Sequence, residues 1–346
     1  MKKITILTRP VGIQLLIHKT KNILFFLKSK LSGKQFVFPR SDGHPAVTKG
    51  LLAGLKSLKV NFNYNPLFAR NIGNTVVVLS GIDALHQIIK LKRNCKIKTL
   101  IAGPNVIVHA YDFNNLMSSP EINLVLVPSE NVADIYCAEN PKLKNRIAPW
   151  FAGVNENNWK PDETPVQTIR DNFLRNAQEI PHGERDKETI PTSKENNILI
   201  YKKSSSEKLY ESVIDTVKRY GWNPITISYH TYTKKEFKQK LEQCSFAIFL
   251  SKSESQGIAL AESWAMDVPT LVWNPQDVLF TKNNHTYKNN ACPYLTNETG
   301  ITWKNISELE KILKNIQTDK YAFKPRLWVL KHMTDVISAQ TLLNLI

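Results

Sequence analysis

Short apolar runs alternate with helix-like stretches along the first half of the chain. The helical patterns include HPAVTKGLLAGLKSLK and DALHQIIKLKR, whose apolar positions recur every three or four residues. The strand candidates are ITIL (4–7), QFVF (35–38), TVVVLS (75–80), KTLIAG (98–103) and LVLVPS (124–129). This alternation predicts an α/β fold in which a mostly parallel sheet carries helices on its faces.

The same alternation resumes in the second half, after a polar and irregular stretch. Strands are predicted at 196–203, 223–229, 246–251 and 269–273, and helices at 206–220, 233–243 and 257–266. We therefore expect two αβ domains in tandem. The predicted parts are an N-terminal domain at 1–155, a polar linker at 156–195, a C-terminal domain at 196–320 and a closing helical segment at 321–346.

Composition narrows the class of protein. The 346 residues are 42% hydrophobic and 22% charged, as in soluble globular proteins. No apolar run approaches the roughly 18 residues that span a bilayer, and the first residues do not resemble a signal peptide. The cysteines are far apart and form no CxxC motif, which favours reduced thiols in a cytoplasmic protein and no structural zinc site. They are Cys95, Cys137, Cys244 and Cys292.

The positive charge is confined to one part of the sequence. Residues 1–100 contain 18 Lys and Arg against only Asp42 and Asp83, which accounts for the whole formal net charge of +16. The remaining residues are balanced. Such segregation indicates an acidic partner, for which an anionic membrane, a nucleic acid and an acidic glycan are the alternatives.

One loop carries the candidate chemistry. In FLSKSESQGIALAESWAMDVPTLVW (249–273), a polar loop joins a buried strand to a helix, at the strand end where α/β folds bind ligands. Amides around Gly257 and Ile258 at the helix start suit a phosphate. Glu262 lies one turn into the helix, where it can accept hydrogen bonds from ribose hydroxyls. Glu254 can accept them from a second sugar.

This loop resembles a known motif. The sequence S-x-S-E-S-Q-G-I-A-L-A-E followed by A-M-D-V-P is similar to the E-x7-E region of family 4 glycosyltransferases, which have the GT-B fold. The resemblance implies two Rossmann-like domains that face each other across a cleft. It also implies that Glu254 acts in catalysis and that Ser255, Gln256, Gly257, Ile258 and Glu262 bind the donor.

The family also has a Gly-Arg-x4-Lys stretch that supplies cations to the donor diphosphate. The matching residues here are KKSSSEK, in which Lys203 is followed five residues later by Lys208. Lysine replaces the arginine and Lys202 replaces the glycine. A lysine still acts as a point charge on phosphate, although it lacks the bidentate fork of arginine. Whether Lys202 or Lys203 takes this role stays open, as does the alternative of an ordinary lysine-rich strand end.

Further positions follow from the same resemblance. Gly43 in SDGHP matches the glycine loop of the acceptor domain, where the backbone approaches the transferred sugar. Tyr229 and Tyr232 in ISYHTY match the loop that holds the nucleotide base. His109 has a family-like role in contacting sugar or acceptor, and a partly buried structural histidine is the alternative. Asp267 stands where the family often has glycine, and Asp tolerates the left-handed conformation.

The resemblance implies a retaining glycosyltransferase that uses a UDP- or GDP-sugar, with no cofactor and no metal. We expect the acceptor to be a cell-envelope glycan such as lipopolysaccharide, capsule or glycolipid, reached from the cytoplasmic face of the membrane. A basic amphipathic helix predicted at 17–31 supports this, and its alternative is packing on its own domain. Two other functions remain open: a phage-type DNA glycosyltransferase acting on modified bases, and a non-catalytic sugar-nucleotide-binding protein.

Overall fold

A computed structural model describes residues 4–15, 43–161, 196–275, 279–282, 285–288, 290–318 and 321–346. The strand predicted at 35–38, the basic helix predicted at 17–31 and most of the polar linker lie outside these residues. None of the helices within the described residues is long and apolar enough to cross a bilayer.

The first sheet contains six parallel strands. They are β1 (Ile4–Leu7), β2 (Phe62–Tyr64), β3 (Thr75–Ser80), β4 (Thr99–Asn105), β5 (Leu124–Val127) and β6 (Ile147–Pro149). The helices are α1 (Gly43–Ser57), α2 (Ile82–Arg93), the single turn α3 (Asp112–Asn115) and α4 (Glu130–Glu139). The spatial order is β2-β1-β3-β4-β5-β6. Val76 and Val78 enter one apolar cluster and Val77 enters another, because both faces of the sheet are buried.

The second half has a sheet of five parallel strands and a separate two-stranded antiparallel hairpin. Its strands are β7 (Asn197–Lys202), β8 (Asn223–Ser228), β9 (Phe246–Leu250) and β10 (Thr270–Trp273), then the antiparallel pair β11 (Leu279–Lys282) and β12 (His285–Lys288), then β13 (Gly300–Trp303). The helices are α5 (Glu207–Arg219), α6 (Lys234–Glu242), α7 (Ile258–Ala265) and α8 (Ile306–Ile316). The parallel order is β13-β10-β9-β7-β8.

Two helices follow the second sheet, namely α9 (Pro325–His332) and α10 (Asp335–Asn344). Helix α9 packs on α7, and α10 returns to pack on α1 beside the first sheet. The indole Nε1 of the fully buried Trp150 donates a hydrogen bond to the carbonyl of Ser338 at 2.9 Å. The Ser338 hydroxyl donates to the carbonyl of Phe151 at 2.7 Å. The C-terminal segment therefore contacts both halves of the molecule.

Candidate functional site

A cleft of about 940 Å³ lies between the two halves, and residues from both sheets line it. Asn105 ends β4 on one side, while Lys203 follows β7 and Glu254 follows β9 on the other. The carboxyl ends of parallel strands commonly form ligand sites, and this volume is at the upper end of the usual range for small-molecule pockets. We call this space the interdomain cleft.

The loop after β9 turns sharply into α7 at the interdomain cleft. Gly257 is the residue before the helix and has φ +60°, in the left-handed region that favours glycine. Gly257, Ile258 and Ala259 all line the cleft. The first amides of a helix have no intrahelical partner and carry partial positive charge, so this helix start can bind an anionic group.

Lys203 and Glu254 form a paired cation and carboxylate in the cleft wall. The Lys203 ammonium lies 2.8 Å from each carboxylate oxygen of Glu254. The same ammonium lies 4.8 Å from the ring centre of Tyr229. The Glu254 amide donates to the carbonyl of Asn290 at 2.8 Å, which fixes the loop. The pair thus places a cation that can bind an anionic group beside a carboxylate that can accept hydrogen bonds.

Glu262 and Lys234 form a second pair. Both carboxylate oxygens of Glu262 accept hydrogen bonds from the Lys234 ammonium at 2.7 Å. Burial raises the pKa of Glu262, and the positive charge of Lys234 opposes that shift. Only 5% of the Glu262 side chain is exposed, against 48% for Lys234. Lys234 lines the interdomain cleft, so it lies between Glu262 and the cleft.

Aromatic side chains line the same side of the cleft. Tyr229 and Tyr232 flank Tyr201, whose hydroxyl lies 3.0 Å from that of Tyr232. Burial raises the pKa of the Tyr201 phenol, so it stays neutral at neutral pH. The rings of Tyr229 and His230 have centroids 3.7 Å apart. These flat faces provide a surface on which a nucleotide base can stack.

Two neighbours of Gly257 complete this wall. Ser255 is exposed at the cleft. Gln256 also lines the cleft, and the nitrogen and oxygen of its side-chain amide are buried without a hydrogen-bond partner among the described residues. Polar atoms of this kind are uncommon in folded proteins, and at a cleft they indicate a place where a ligand or water supplies the partner.

Several residues singled out in the sequence lie elsewhere. Lys208 is exposed in the first turn of α5 and does not line the cleft. His109 also lies off the cleft, and its Nδ1 is 2.7 Å from a carboxylate oxygen of the buried Glu139. Gly43 is the first residue of α1, directly before His44 and the cleft residues Pro45 and Ala46.

Three further residues in loops or at helix ends have defined conformations or contacts. Asp267 has φ +59°, the left-handed conformation expected at the end of α7. Ser129 precedes α4 at the cap position but makes no capping hydrogen bond through its side chain. Asp112 accepts hydrogen bonds from the amides of Val108 and His109, so it orders the loop after β4.

Lys234 is the main residue that the sequence analysis missed. A local signal was present, because T-K-K-E (233–236) is a capping box in which Thr233 and Glu236 bond reciprocally at the start of α6. That signal locates a helix start beside the predicted base loop. It does not show that the next lysine pairs with a carboxylate 28 residues later.

No protein-family model matches the chain, and no curated protein matches it. Solved structures do. The apo form of the lipopolysaccharide outer core galactosyltransferase WaaB aligns with a TM-score of 0.54 at 10% identity, over 99% of this chain and 98% of that chain. A glycosyltransferase from Rickettsia africae ESF-5 aligns with a TM-score of 0.53 at 12% identity, over 99% and 97%.

These likenesses establish the fold. The two parallel sheets of six and five strands, flanked by helices, are those of the GT-B glycosyltransferases with which the chain aligns. The predicted α/β fold of GT-B type is therefore confirmed. At identities of 10–12%, these likenesses show the fold alone, and the chemistry has to be argued from the residues of the site.

Proposed function

We propose that the chain is a retaining glycosyltransferase, similar to family 4, that transfers a sugar from a UDP- or GDP-sugar. The supporting observation is the wall formed by Lys203, Glu254 and the start of α7 in the interdomain cleft. It offers a cation and free amides for a diphosphate, beside a carboxylate for sugar hydroxyls. The tyrosines beside it suit the base, and Glu262 suits the ribose.

The chemical role that we propose for this wall of the cleft is to stabilise the negative charge of the leaving diphosphate. When the bond between sugar C1 and the phosphate oxygen breaks, the electron pair leaves with the diphosphate. Lys203 and the amides around Gly257 would meet that developing charge, and such fixed positive groups supply much of the rate enhancement in many enzymes. The acceptor oxygen bonds to C1 and its proton passes to the leaving phosphate. We propose no metal or cofactor requirement, because these groups already supply positive charge.

A thermal-shift panel tests the donor site. UDP, GDP, ADP and CDP are added to the chain with EDTA present throughout. We expect one of them to raise the melting temperature by several degrees, since a ligand at 100 times its Kd stabilises by about 2.7 kcal/mol. The matching nucleotide sugar should then be turned over with retention, read from the anomeric proton coupling of the product. A panel with no stabilising nucleotide would contradict the donor assignment.

For the acceptor, we propose a glycan carried on an anionic membrane. The neighbour WaaB is by its name a lipopolysaccharide outer core galactosyltransferase. In this chain, an exposed group of apolar and basic side chains follows β1 and β2, which we call the basic tip. It consists of Arg9, Ile13, Tyr64, Leu67, Phe68 and Arg70. Cosedimentation with vesicles tests this part of the proposal.

The basic tip has the composition of a membrane-contact surface. Ile13 is 72% exposed and Leu67 is 62% exposed, and the amide of Gly12 donates to the carbonyl of Leu67 at 2.8 Å, which holds the two loops together. The Arg70 guanidinium lies 5.2 Å from the ring centre of Phe68. Residues 1–82 contain a single acid, Asp42. Apolar side chains among cations suit anionic lipid headgroups.

The position of the basic tip supports the same acceptor. Strands β1, β2 and β4 are parallel within one sheet, so their carboxyl ends lie at the same edge. β4 ends at Asn105, which lines the interdomain cleft. A membrane bound at the basic tip would therefore lie at the edge of the first sheet that carries the cleft, where a lipid-linked acceptor can reach it.

A further inference from the structure

The carboxylate best suited to the ribose is covered by a lysine. Glu262 is buried within α7 and is absent from the cleft lining, whereas Lys234 lines the cleft and bonds both oxygens of Glu262 at 2.7 Å. A ligand in the cleft therefore meets Lys234 before it meets Glu262. The lysine must take part in whatever Glu262 does.

Helix α6 gives no reason for a lysine at its first position. A cation near a helix N-terminus opposes the helix dipole. Thr233 and Glu236 already cap this end through their reciprocal hydrogen bonds. The neighbouring Lys235 occupies the same helix start and is exposed. The contacts that distinguish Lys234 are those to Glu262 and to Trp159, whose ring centre lies 5.7 Å from its ammonium.

The Glu262 carboxylate can accept further hydrogen bonds while it is paired with Lys234. An ionised carboxylate offers about four acceptor positions on its two oxygens. Within the described part of the chain, Lys234 uses one on each oxygen, so one on each remains. Two acceptors on adjacent oxygens match the two neighbouring hydroxyls of a ribose. The half-exposed Lys234 side chain has room to shift toward the cleft as a sugar arrives.

We propose that Lys234 is a positioning residue for the nucleotide: it keeps Glu262 ionised and fixes both carboxylate oxygens so that they accept the two ribose hydroxyls. This rests on the proposed nucleotide-sugar function and assigns that function a residue outside the E-x7-E motif. Without Lys234, the buried carboxyl would take up a proton more readily, because burial raises the pKa of Glu262 and Lys234 opposes that shift. A protonated carboxyl has lost one charged acceptor.

Other groups packed around α7 do not replace Lys234. On α9, Arg326 bonds the carbonyl of Ala265 and its own amide bonds Asp267. Lys331 and His332 of α9 are exposed. On the strands and the loop nearby, Tyr201 and Cys292 are neutral at neutral pH because burial raises the pKa of each. Lys234 is thus the cation that acts on Glu262 in the described part of the chain.

Calorimetry on Lys234→Met, Lys234→Arg and the matched control Lys235→Met tests the proposal. The ligands are the best nucleoside diphosphate from the panel, its 2′-deoxy analogue and inorganic pyrophosphate, at pH 6, 7 and 8.5. We expect Lys234→Met to bind the ribonucleotide about tenfold more weakly or worse, as a lost charged hydrogen bond implies. The loss should be largest at pH 6, and discrimination against the deoxy analogue should shrink.

The remaining ligands and variants separate positioning from other roles. Pyrophosphate affinity should stay unchanged in Lys234→Met, Lys235→Met should match the wild type, and Lys234→Arg should restore ribonucleotide binding with a flat pH profile. Equal losses for pyrophosphate and ribonucleotide would make Lys234 a phosphate ligand and overturn the proposal. So would tighter binding by Lys234→Met, which would make the lysine a competitor of the ribose. A wild-type chain that binds no nucleotide would overturn the proposed function itself.

Discussion

Each glutamate of the loop and helix after β9 is held by its own lysine. Lys203 bonds Glu254 and Lys234 bonds Glu262, in both cases through both carboxylate oxygens. A nucleotide sugar carries phosphate oxygens for Lys203 and hydroxyls for both carboxylates. Binding would therefore exchange partners within the Lys203–Glu254 pair, while Lys234 stays bonded to Glu262, with little reorganisation of charge.

The sequence predicted these residues unevenly. Glu254, Gly257 and Lys203 follow from short motifs because their positions depend on one strand, one turn and one helix start. Lys208 shares the motif spacing, yet it is exposed in the first turn of α5 and is absent from the cleft lining. Lys234 escaped prediction because its pairing with Glu262 depends on how α6 and α7 pack, which spacing along the chain does not encode.

At the scale of elements, α10 joins the C-terminal segment to the first sheet through close backbone contact. A Cβ added at Gly54 of α1 would lie 2.1 Å from the carbonyl oxygen of Asp335 and 2.7 Å from Cβ of Ala339. Gly50 and Gly153 approach Asp335 similarly. Gly50 and Gly54 let the backbone of α10 approach α1 without intervening side chains, and Gly153 allows the same close approach at the segment after β6.

Gly54→Ala should therefore destabilise the protein, although alanine is the better helix former. Overpacking of this kind costs about 1–3 kcal/mol, so the melting temperature should fall by several degrees in a thermal scan. Ser57→Ala, at an exposed position of the same helix, is the control for helix propensity and should cause little change. A higher melting temperature for Gly54→Ala would show that α1 and α10 do not approach so closely.

The strands and helices that the sequence analysis did not predict were missed for physical reasons. β2 and β6 have three residues each and lie at the edges of the first sheet, too short to show a period. β13 and α8 lie in a stretch left unassigned between the last predicted strand and the closing segment. The strands β3 and β9, whose central residues are all apolar, were predicted within two residues, because burial on both faces demands continuous hydrophobicity.

At the scale of the whole molecule, the segregation of positive charge and the exposed basic tip both favour an anionic membrane as the partner. Residues 1–100, with 18 basic and 2 acidic residues, belong to the half that carries the basic tip. The net charge of this half could be predicted from the sequence. That the exposed side chains of Ile13, Leu67 and Phe68 are neighbours could be seen only in the structure, because about 50 residues or more separate the two loops along the chain.

The double variant Leu67→Ser, Phe68→Ser should lose binding to phosphatidylcholine vesicles that contain phosphatidylglycerol, by about tenfold or more in cosedimentation. The control is Leu327→Ser, Leu330→Ser on α9, whose side chains are similarly exposed on the other half. Wild-type binding should weaken with salt and be absent from pure phosphatidylcholine. Equal binding by both variants, or tight binding to duplex DNA in place of vesicles, would contradict the membrane assignment.

The most direct measurement is the affinity of the stabilising nucleoside diphosphate for wild type, Lys203→Ala and Lys208→Ala by calorimetry. Removing Lys203 takes away a cation and leaves Glu254 as an unpaired negative charge facing the diphosphate. We predict that Lys203→Ala weakens binding by about 10- to 100-fold and that the exposed Lys208→Ala stays within about threefold of wild type. Equal affinities for all three proteins, or a larger loss for Lys208→Ala, would contradict the assignment of the interdomain cleft as the donor site.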